Sequence, residues 1–193
     1  MDIVTGTTGL LGNVLVRAFK DAENIYHLAS EISIMPGPNK RLREVNVTGA
    51  NNVIKACCQC GIKRLIYTSS IHAFKEVEND STIDESLPFD PFNPMGEYNR
   101  TKAMASLAVK EAVREGLDAV IVCPTAVMGP YDFKISNIGS LFIEYCNKRQ
   151  KIIIDGAYDF VDVRDVAVGH MLAAEKGKTG ETLIYCHTVG PEE

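Results

Sequence analysis

A tyrosine and a lysine stand four residues apart in the sequence Tyr98-Asn99-Arg100-Thr101-Lys102. On a helix this spacing places the phenol and the ammonium on one face, about one turn apart. Because a nearby cation favours phenolate, Lys102 is expected to lower the pKa of Tyr98 below its ordinary value of about 10. The pair therefore predicts a general acid or base that works near neutral pH.

Three hydroxyl residues, Thr68, Ser69 and Ser70, come at and just after the end of an apolar run. Ligands of open α/β sheets bind beyond the carboxyl ends of the strands. A hydroxyl at that edge can donate a hydrogen bond to a substrate carbonyl. The alternative is that these side chains only stabilise the turn after the strand, and for Thr68 that is the better interpretation.

A glycine-rich loop, Gly6-x-x-Gly9-x-x-Gly12, lies between the first predicted strand and the first predicted helix. Gly6 permits a tight turn, Gly9 lets the backbone approach a pyrophosphate, and Gly12 permits close packing of helix on strand. The helix N-terminus then offers free N–H groups and a partial positive charge to the anion. The loop predicts a dinucleotide site, with a plain turn as the alternative.

Strands and helices alternate along the chain, which predicts an α/β fold with a doubly wound parallel sheet. The predicted strands are residues 2–5, 24–28, 64–68, 119–123 and 182–186. The predicted helices are residues 10–20, 45–60, 98–115 and 163–176, and Gly61 and Gly116 end two of them. The proline-containing residues 81–97 should form a loop over the sheet. Residues 131–156 should form a helix and loop near the substrate.

Composition narrows the function classes. The 193 residues are 46% hydrophobic and 23% charged with a net charge of −5, which excludes a disordered chain and a basic nucleic-acid surface. No apolar run reaches the roughly 18 residues of a membrane span, and the N-terminus lacks secretion-signal features, so a cytoplasmic protein is expected. The six cysteines lack zinc-ligand spacing, so reduced structural thiols and no metal are expected.

The glycine loop, the strand ending in Ser70 and the Tyr98/Lys102 pair together resemble the extended short-chain dehydrogenase/reductase superfamily, the NAD-dependent epimerases and dehydratases. The resemblance runs through nearly the whole chain and implies a Rossmann-like domain at residues 1–130. Residues 131–193 would be part of a substrate-binding region. It also implies NAD or NADP as cofactor and a homodimer formed through the helices at 45–60 and 98–115.

The resemblance assigns four catalytic residues. Ser70 would polarise a carbonyl, and Tyr98 would pass it a proton. Lys102, together with an oxidised nicotinamide, would lower the tyrosine pKa, and it would also bind the nicotinamide ribose. Asn46 resembles the asparagine that a local helix distortion holds near the active site, where it would hold a water. Its alternative is a helix-start residue.

Cofactor contacts follow from the same resemblance. The expected residues are Gly6, Thr8, Gly9, Leu10, Leu11, Gly12, Leu28, Ala29, Ser30, Thr68, Tyr98, Lys102, Pro124, Thr125 and Val127. His27 is expected to pack and hydrogen-bond rather than catalyse, and His72 to be a loop residue rather than a substrate contact. Asp162–Arg164 should be a structural set and Asp165 a helix-start acid.

The chain departs from the family pattern near residues 20–24, where the second and third strands and the adenosine half of the site should lie. Either the chain is shortened there, or residues of a longer protein are missing from it. Most of the substrate domain after Glu193 is missing as well. Glu31 stands about twenty residues past Gly12, where the ribose-binding acid of a second strand would be. Residues 27–29 align better with a fourth strand, so that role is rejected.

Three functions remain open. Nucleotide-sugar epimerases carry an asparagine and a phosphate-binding arginine where Cys123 and Tyr158 stand here. Residues 124–130 instead resemble dihydroflavonol reductases and 3β-hydroxysteroid dehydrogenases. An oxidoreductase of an alcohol/carbonyl pair is therefore favoured over an epimerase or dehydratase. A non-catalytic dinucleotide sensor or partner subunit is the third possibility.

Overall fold

The structure, a computed structural model of the chain, describes residues 2–6, 23–33, 37–78, 81–149 and 158–187. Several predicted cofactor residues lie outside these ranges: Thr8, Gly9, Leu10, Leu11 and Gly12. The predicted helix at 10–20 and the end of the predicted loop at 131–156 lie outside them too.

Five parallel strands form the main sheet, in the order β1-β2-β3-β4-β7. They are β1 (Ile3–Thr5), β2 (Asn24–His27), β3 (Arg64–Thr68), β4 (Ala119–Pro124) and β7 (Thr182–Tyr185). A second, two-stranded parallel sheet joins β5 (Ala126–Met128) to β6 (Phe160–Asp162). The five predicted strands agree to within one residue at each end. The sequence missed β5 and β6, because three residues are too few to show a periodicity.

The helices mostly match the prediction. They are α1 (Lys40–Leu42), α2 (Gly49–Cys60), α3 (Glu97–Arg114), α4 (Asn137–Cys146) and α5 (Val163–Lys176). The helix expected at 45–60 begins earlier, at Lys40, and contains one π-helical turn, Arg43–Thr48, between α1 and α2. Gly61 ends α2 in the left-handed conformation, as predicted. Asp162 caps α5 and Asp165 lies in its first turn, in agreement with the structural roles expected there.

Helices cover both faces of the sheet. Leu65 and Tyr67 of β3 belong to the core cluster that packs against α2 and α3. Ile66, between them, belongs to the cluster that packs against α5. Since successive side chains of a strand point to opposite faces, both faces of β3 are buried. The fold is the predicted doubly wound, Rossmann-like α/β architecture.

The position of β2 identifies the half of the sheet that is present. β1 pairs in parallel with β2, from Ile3↔Ile25 to Thr5↔His27. In the Rossmann order 3-2-1-4-5-6, the neighbour of strand 1 on this side is strand 4. β2 therefore occupies the fourth-strand position, as the sequence indicated. Glu31 therefore follows the fourth-strand position and not a second strand, so it does not take the place of the ribose-binding acid.

A loop and a helix lie outside the packed layers. Residues 81–96 carry no helix or strand, as predicted, and Glu85 Oε1 accepts a hydrogen bond from the Ile184 backbone N–H of edge strand β7 at 3.0 Å. The helix α4, expected over the strand ends, has no buried residue. No helix in the described ranges is both long and apolar enough to cross a bilayer.

All six cysteines are free thiols, but only Cys57 and Cys123 are buried. The expectation of structural thiols is therefore wrong for the other four, whose side chains are exposed and do not pack in the core.

Candidate active site

Tyr98 lies in the first turn of α3, just after the N-cap Gly96. Burial raises the pKa of Tyr98 to about 12, and hydrogen bonds with the side chains of Ser70 and Ser30 only partly offset this effect. Loss of hydration of the phenolate outweighs these interactions, so the pKa of Tyr98 lies above its ordinary value. Its lowering by Lys102 together with an oxidised nicotinamide stays a prediction.

Lys102 follows one turn later and is almost completely buried, with 3% of its surface exposed. Its Nζ donates a hydrogen bond to the carbonyl oxygen of Thr68 at 2.8 Å and lies 5.6 Å from the centroid of the Tyr67 ring. Burial lowers the pKa of Lys102 to about 8. An ammonium has three N–H donors, so the bond to Thr68 leaves two for a ligand.

The three hydroxyls at the end of β3 have different partners. The Thr68 hydroxyl contacts His170 Nε2 at 2.9 Å, on the α5 side of the sheet. The Ser69 hydroxyl contacts the Ser106 hydroxyl of α3 at 2.6 Å. Ser70 caps the 3₁₀ turn Ile71–Ala73 by accepting from the His72 N–H. Of these three hydroxyls, Ser70 is the one whose side chain interacts with Tyr98 closely enough to lower the pKa of the phenol.

Asn46 lies inside the π-helical turn, so the helix-start alternative is wrong. Its Oδ1 accepts from the Glu31 N–H at 2.8 Å and from the Ser30 hydroxyl at 3.1 Å. Its Nδ2 donates to the Glu31 carbonyl at 2.9 Å and to the Thr101 hydroxyl at 3.1 Å. These bonds fill the hydrogen-bonding capacity of the amide. The side chain thus joins the loop after β2 to α3, and the expected role of Asn46 in holding a water stays a prediction.

The carboxyl ends of β1, β2 and β4 form the edge where a dinucleotide is expected. Gly6 has φ +79° and lies so close to β2 that a Cβ atom there would be 2.7 Å from the Ala29 backbone N and 2.8 Å from the Leu28 carbonyl carbon. Thr125 follows β4, and its buried hydroxyl has no partner among the described residues. A close-packed glycine, an unsatisfied buried hydroxyl and the spare donors of Lys102 fit a nicotinamide dinucleotide at this edge.

The remaining predicted contacts lie along the same edge. Pro124 ends β4 and Val127 lies in β5, while Leu28, Ala29 and Ser30 directly follow β2. His27 is buried, contacts the Thr5 hydroxyl through Nδ1 at 2.6 Å and tilts against the Tyr67 ring, which is the packing role expected for it.

A series of ring contacts, from His72 through Tyr158 and Phe160 to Phe142, joins the Ser70 loop to an apolar cleft. The ring centroids of His72 and Tyr158 are 6.4 Å apart, those of Tyr158 and Phe160 are 6.2 Å apart, and those of Phe160 and Phe142 are 5.7 Å apart. Phe142 lines a cleft of about 250 Å³ between β5 and α4. The other lining residues are Met128, Gly129, Asp132, Ile135, Ser136, Ile138, Gly139 and Ile143. His72, which was expected to be a loop residue, is thus the first residue in this series of ring contacts.

Three buried or hydrogen-bonded polar residues around the candidate site were not predicted from the sequence. Glu97 is buried between Arg43 of the π-helical turn and Arg100 of α3. The Thr101 hydroxyl donates to the Tyr98 carbonyl at 2.9 Å and accepts from Asn46. His170 is fully buried against Thr68. No motif marked these residues, because each one owes its position to contacts between distant parts of the chain.

The sequence matches a family model described as the NAD dependent epimerase/dehydratase family over residues 19–186. It is 36% identical to the sterol demethylase protein B of Methylococcus capsulatus, covering 85% of this chain and 50% of that protein. It is 37% identical to the 3beta-hydroxysteroid-dehydrogenase/decarboxylase isoform 1 of Arabidopsis thaliana, covering 82% and 36%. The chain thus spans half or less of the length of these relatives.

Solved structures share the fold. The crystal structure of gox2253 superposes with a TM-score of 0.88 and 24% identity, covering 97% of this chain and 70% of that one. The dTDP-glucose 4,6-dehydratase of Bacillus anthracis, solved in complex with NAD, superposes with a TM-score of 0.78 and 15% identity, covering 96% and 74%.

Proposed function

The chain belongs to the NAD dependent epimerase/dehydratase family, and we propose that it is an NAD(P)-dependent oxidoreductase that interconverts an alcohol and a carbonyl compound. The observation that carries this proposal is the placement of Ser70, Tyr98 and Lys102 at the carboxyl end of β3. The Ser70 side chain lowers the pKa of Tyr98, and Lys102 lies buried one turn along the same helix, with its Nζ bonded to the Thr68 carbonyl at 2.8 Å.

In this proposal each of the three residues has a separate task. The nicotinamide ring, when bound, supplies or takes up the hydride. The Ser70 hydroxyl orients the carbonyl oxygen, and the Tyr98 Oη passes a proton to that oxygen. Lys102 uses its two remaining N–H groups to hold the ribose. With a pKa of about 12, Tyr98 is protonated at neutral pH, which suits the direction of carbonyl reduction.

In this proposal the substrate lies in the cleft that ring contacts from His72 to Phe142 join to the Ser70 loop, and this cleft supports a substrate of low charge. Its lining is mostly apolar, and Asp132 is the one ionisable residue among those that line it. The Asp132 carboxylate is engaged in accepting hydrogen bonds from the Ser136 N–H and hydroxyl. A diphosphate would need arginine or lysine partners, and a carboxylate repels it. The lining therefore favours an apolar carbonyl compound over a nucleotide sugar.

The names of the relatives point the same way. The bacterial and plant relatives are described as a sterol demethylase protein and a hydroxysteroid dehydrogenase/decarboxylase. A rice relative that is 32% identical over 167 residues is described as a cinnamoyl-CoA reductase. These proteins support chemistry at an alcohol or carbonyl carbon.

The experiment combines cofactor binding with turnover. Titrating the protein with NADH and with NADPH, followed by nicotinamide fluorescence, measures binding. The protein loaded with NADH or NADPH is then assayed with a panel of ring ketones and aldehydes. In parallel, the protein loaded with NAD or NADP is assayed with UDP- and dTDP-sugars, because those reactions begin with hydride transfer from the sugar to the oxidised cofactor. The proposal expects cofactor oxidation with an uncharged carbonyl compound. Conversion of a nucleotide sugar without net cofactor oxidation would show an epimerase or dehydratase instead, and binding without any turnover would show a sensor.

A further inference from the structure

Thr68 is the last residue of β3 and contacts both faces of the sheet through different groups. Its hydroxyl contacts His170 of α5 at 2.9 Å. Its carbonyl oxygen accepts from Lys102 Nζ of α3 at 2.8 Å. The β2–β3 pairing ends at His27↔Tyr67, whereas the β3–β4 pairing still includes Thr68↔Val122. The N–H of the same peptide group, that of Ser69, donates to the Val122 carbonyl at 2.7 Å. The peptide group that holds the Lys102 ammonium is thus fixed by this backbone bond and by the Thr68 side chain.

His170 is fully buried and fixed at both ring nitrogens. Its Nδ1 lies 2.8 Å from the Val166 carbonyl, which can only accept, so Nδ1 carries the proton. Nε2 is then an acceptor, and the Thr68 hydroxyl donates to it. Burial lowers the pKa of His170 to about 4, which keeps this neutral tautomer at neutral pH. The Tyr185 ring packs edge-on against the imidazole, with centroids 5.8 Å apart, and holds it from a further side.

We propose that His170 is a positioning residue for Lys102 and acts across the sheet through Thr68. The imidazole anchors the Thr68 side chain on the α5 face, and that anchor fixes the carbonyl that holds the ammonium on the α3 face. The inference rests on the proposed function, in which Lys102 binds the cofactor, but the position of Lys102 itself can be measured without any cofactor.

The first measurement is the ¹³Cε NMR signal of Lys102 in lysine-labelled protein, assigned by its loss in Lys102→Met. Thr68→Val keeps the shape and the carbonyl but removes the hydroxyl, and His170→Leu removes the acceptor. Both should move the Lys102 signal. Thr68→Ser, which keeps the hydroxyl, should leave the Lys102 signal unchanged.

Ile66→Val is the matched control, because Ile66 lies on the same strand and faces the same α5 cluster. It destabilises the core without touching the hydrogen bonds, so it should not move the Lys102 signal. An unchanged signal in Thr68→Val and His170→Leu would overturn the proposal. Failure of both variants to fold would also overturn it, since the pair would then be a requirement of folding.

The second measurement is NADH and NADPH affinity by nicotinamide fluorescence. Thr68→Val and His170→Leu should weaken binding by about fivefold to tenfold, the effect expected for one neutral hydrogen bond. In a Lys102→Met background they should cause no further loss, because the residue they position is gone. A further loss of equal size there would contradict the proposal. If the unmodified protein binds neither cofactor, the proposed function fails, while the NMR result still decides the role of His170.

Discussion

At the scale of single residues, burial governs the chemistry of the candidate site. Tyr98 and Lys102 lie on one helix face, as their spacing predicts. Burial shifts the pKa of each side chain in the direction that favours its neutral form. The phenol holds its proton more tightly and the ammonium holds its proton less tightly. Both shifts have the same origin, the loss of hydration of a charge.

Replacing Tyr98 by Phe removes a proton donor and leaves the ring in place. We expect Tyr98→Phe to lower turnover by at least about a hundredfold, the range for losing a general acid, with cofactor affinity almost unchanged. Steady-state kinetics and fluorescence titration measure the two quantities. Unchanged turnover would remove Tyr98 from the mechanism.

Lys102→Met should lower both turnover and cofactor affinity, because the ammonium is expected to hold the ribose as well as to act electrostatically. Lys110 lies on the same helix, but its ammonium donates to the Gly180 carbonyl at the far end of that helix. The control variant Lys110→Met should therefore keep both turnover and cofactor affinity. Normal cofactor binding by Lys102→Met would contradict the assigned contact.

The buried ammonium should also cost stability in a pH-dependent way. Because the pKa of Lys102 falls from 10.5 to about 8 on folding, the unfolded chain binds more protons than the folded protein between pH 8 and 10.5. The contribution of Lys102 therefore makes stability rise with pH in that window. Lys102→Met should be more stable at pH 7 by up to about 3 kcal/mol, with the difference shrinking towards pH 10.5. Urea unfolding at the two pH values measures it, and a difference independent of pH would refute the account.

At the scale of elements, the ends of strands and the turns of helices bring the site together. The π-helical turn places Asn46 in the interior, where its amide joins the loop after β2 to α3. The β1–β2 contact at Gly6 forms the other side of the same edge. Both features depend on backbone geometry more than on the identity of a catalytic side chain.

Gly6→Ala tests the close approach of β1 to β2. The new Cβ would meet the Leu28–Ala29 backbone at less than 3 Å, and φ is +79°. Gly37→Ala is a matched control, because Gly37 has φ +98° but nothing within 4 Å of an added Cβ. Both variants should lose about 1–2 kcal/mol through backbone strain, and Gly6→Ala should lose more and also weaken cofactor binding. Equal losses of unfolding free energy in the two variants would show that the close approach of Gly6 to the Leu28–Ala29 backbone does not affect stability.

At the scale of the whole molecule, the main sheet contains β1 and the strands on one side of it. The described residues place no strand on the other side of β1, where strands 2 and 3 of a Rossmann sheet lie. In that fold the residue that distinguishes NAD from NADP follows the second strand. The site described here therefore covers the nicotinamide side of the proposed cofactor.

The 193-residue chain should accordingly bind NAD and NADP weakly and with similar dissociation constants. The adenine wall and the charge that recognises or excludes the 2′-phosphate would come from the segment that the sequence lacks near residues 20–24. Fluorescence or calorimetric titration with both cofactors checks this expectation. Tight binding with a strong preference for one of them would show that selectivity resides elsewhere in the chain.

The fold class, the order of the elements and the family could be predicted from the amino-acid sequence alone. Alternating apolar runs predicted the strands, because periodicity is a local property of the chain. The Tyr98/Lys102 spacing likewise predicted that both residues share one helix face. The alignment of residues 27–29 with a fourth strand was also correct, since β2 lies next to β1.

Which polar groups come together depends on the tertiary structure. Thr68 and Ser69 are adjacent hydroxyl residues, yet they contact His170 and Ser106, because successive positions leave β3 in different directions. The direction of the Tyr98 pKa shift depended on burial, and burial depends on every element packed around the phenol. The bonds of Asn46 and those that connect His170 to Lys102 through Thr68 join residues 15 to 102 positions apart. Such contacts leave no local signal in a sequence, because they are set by how the layers pack.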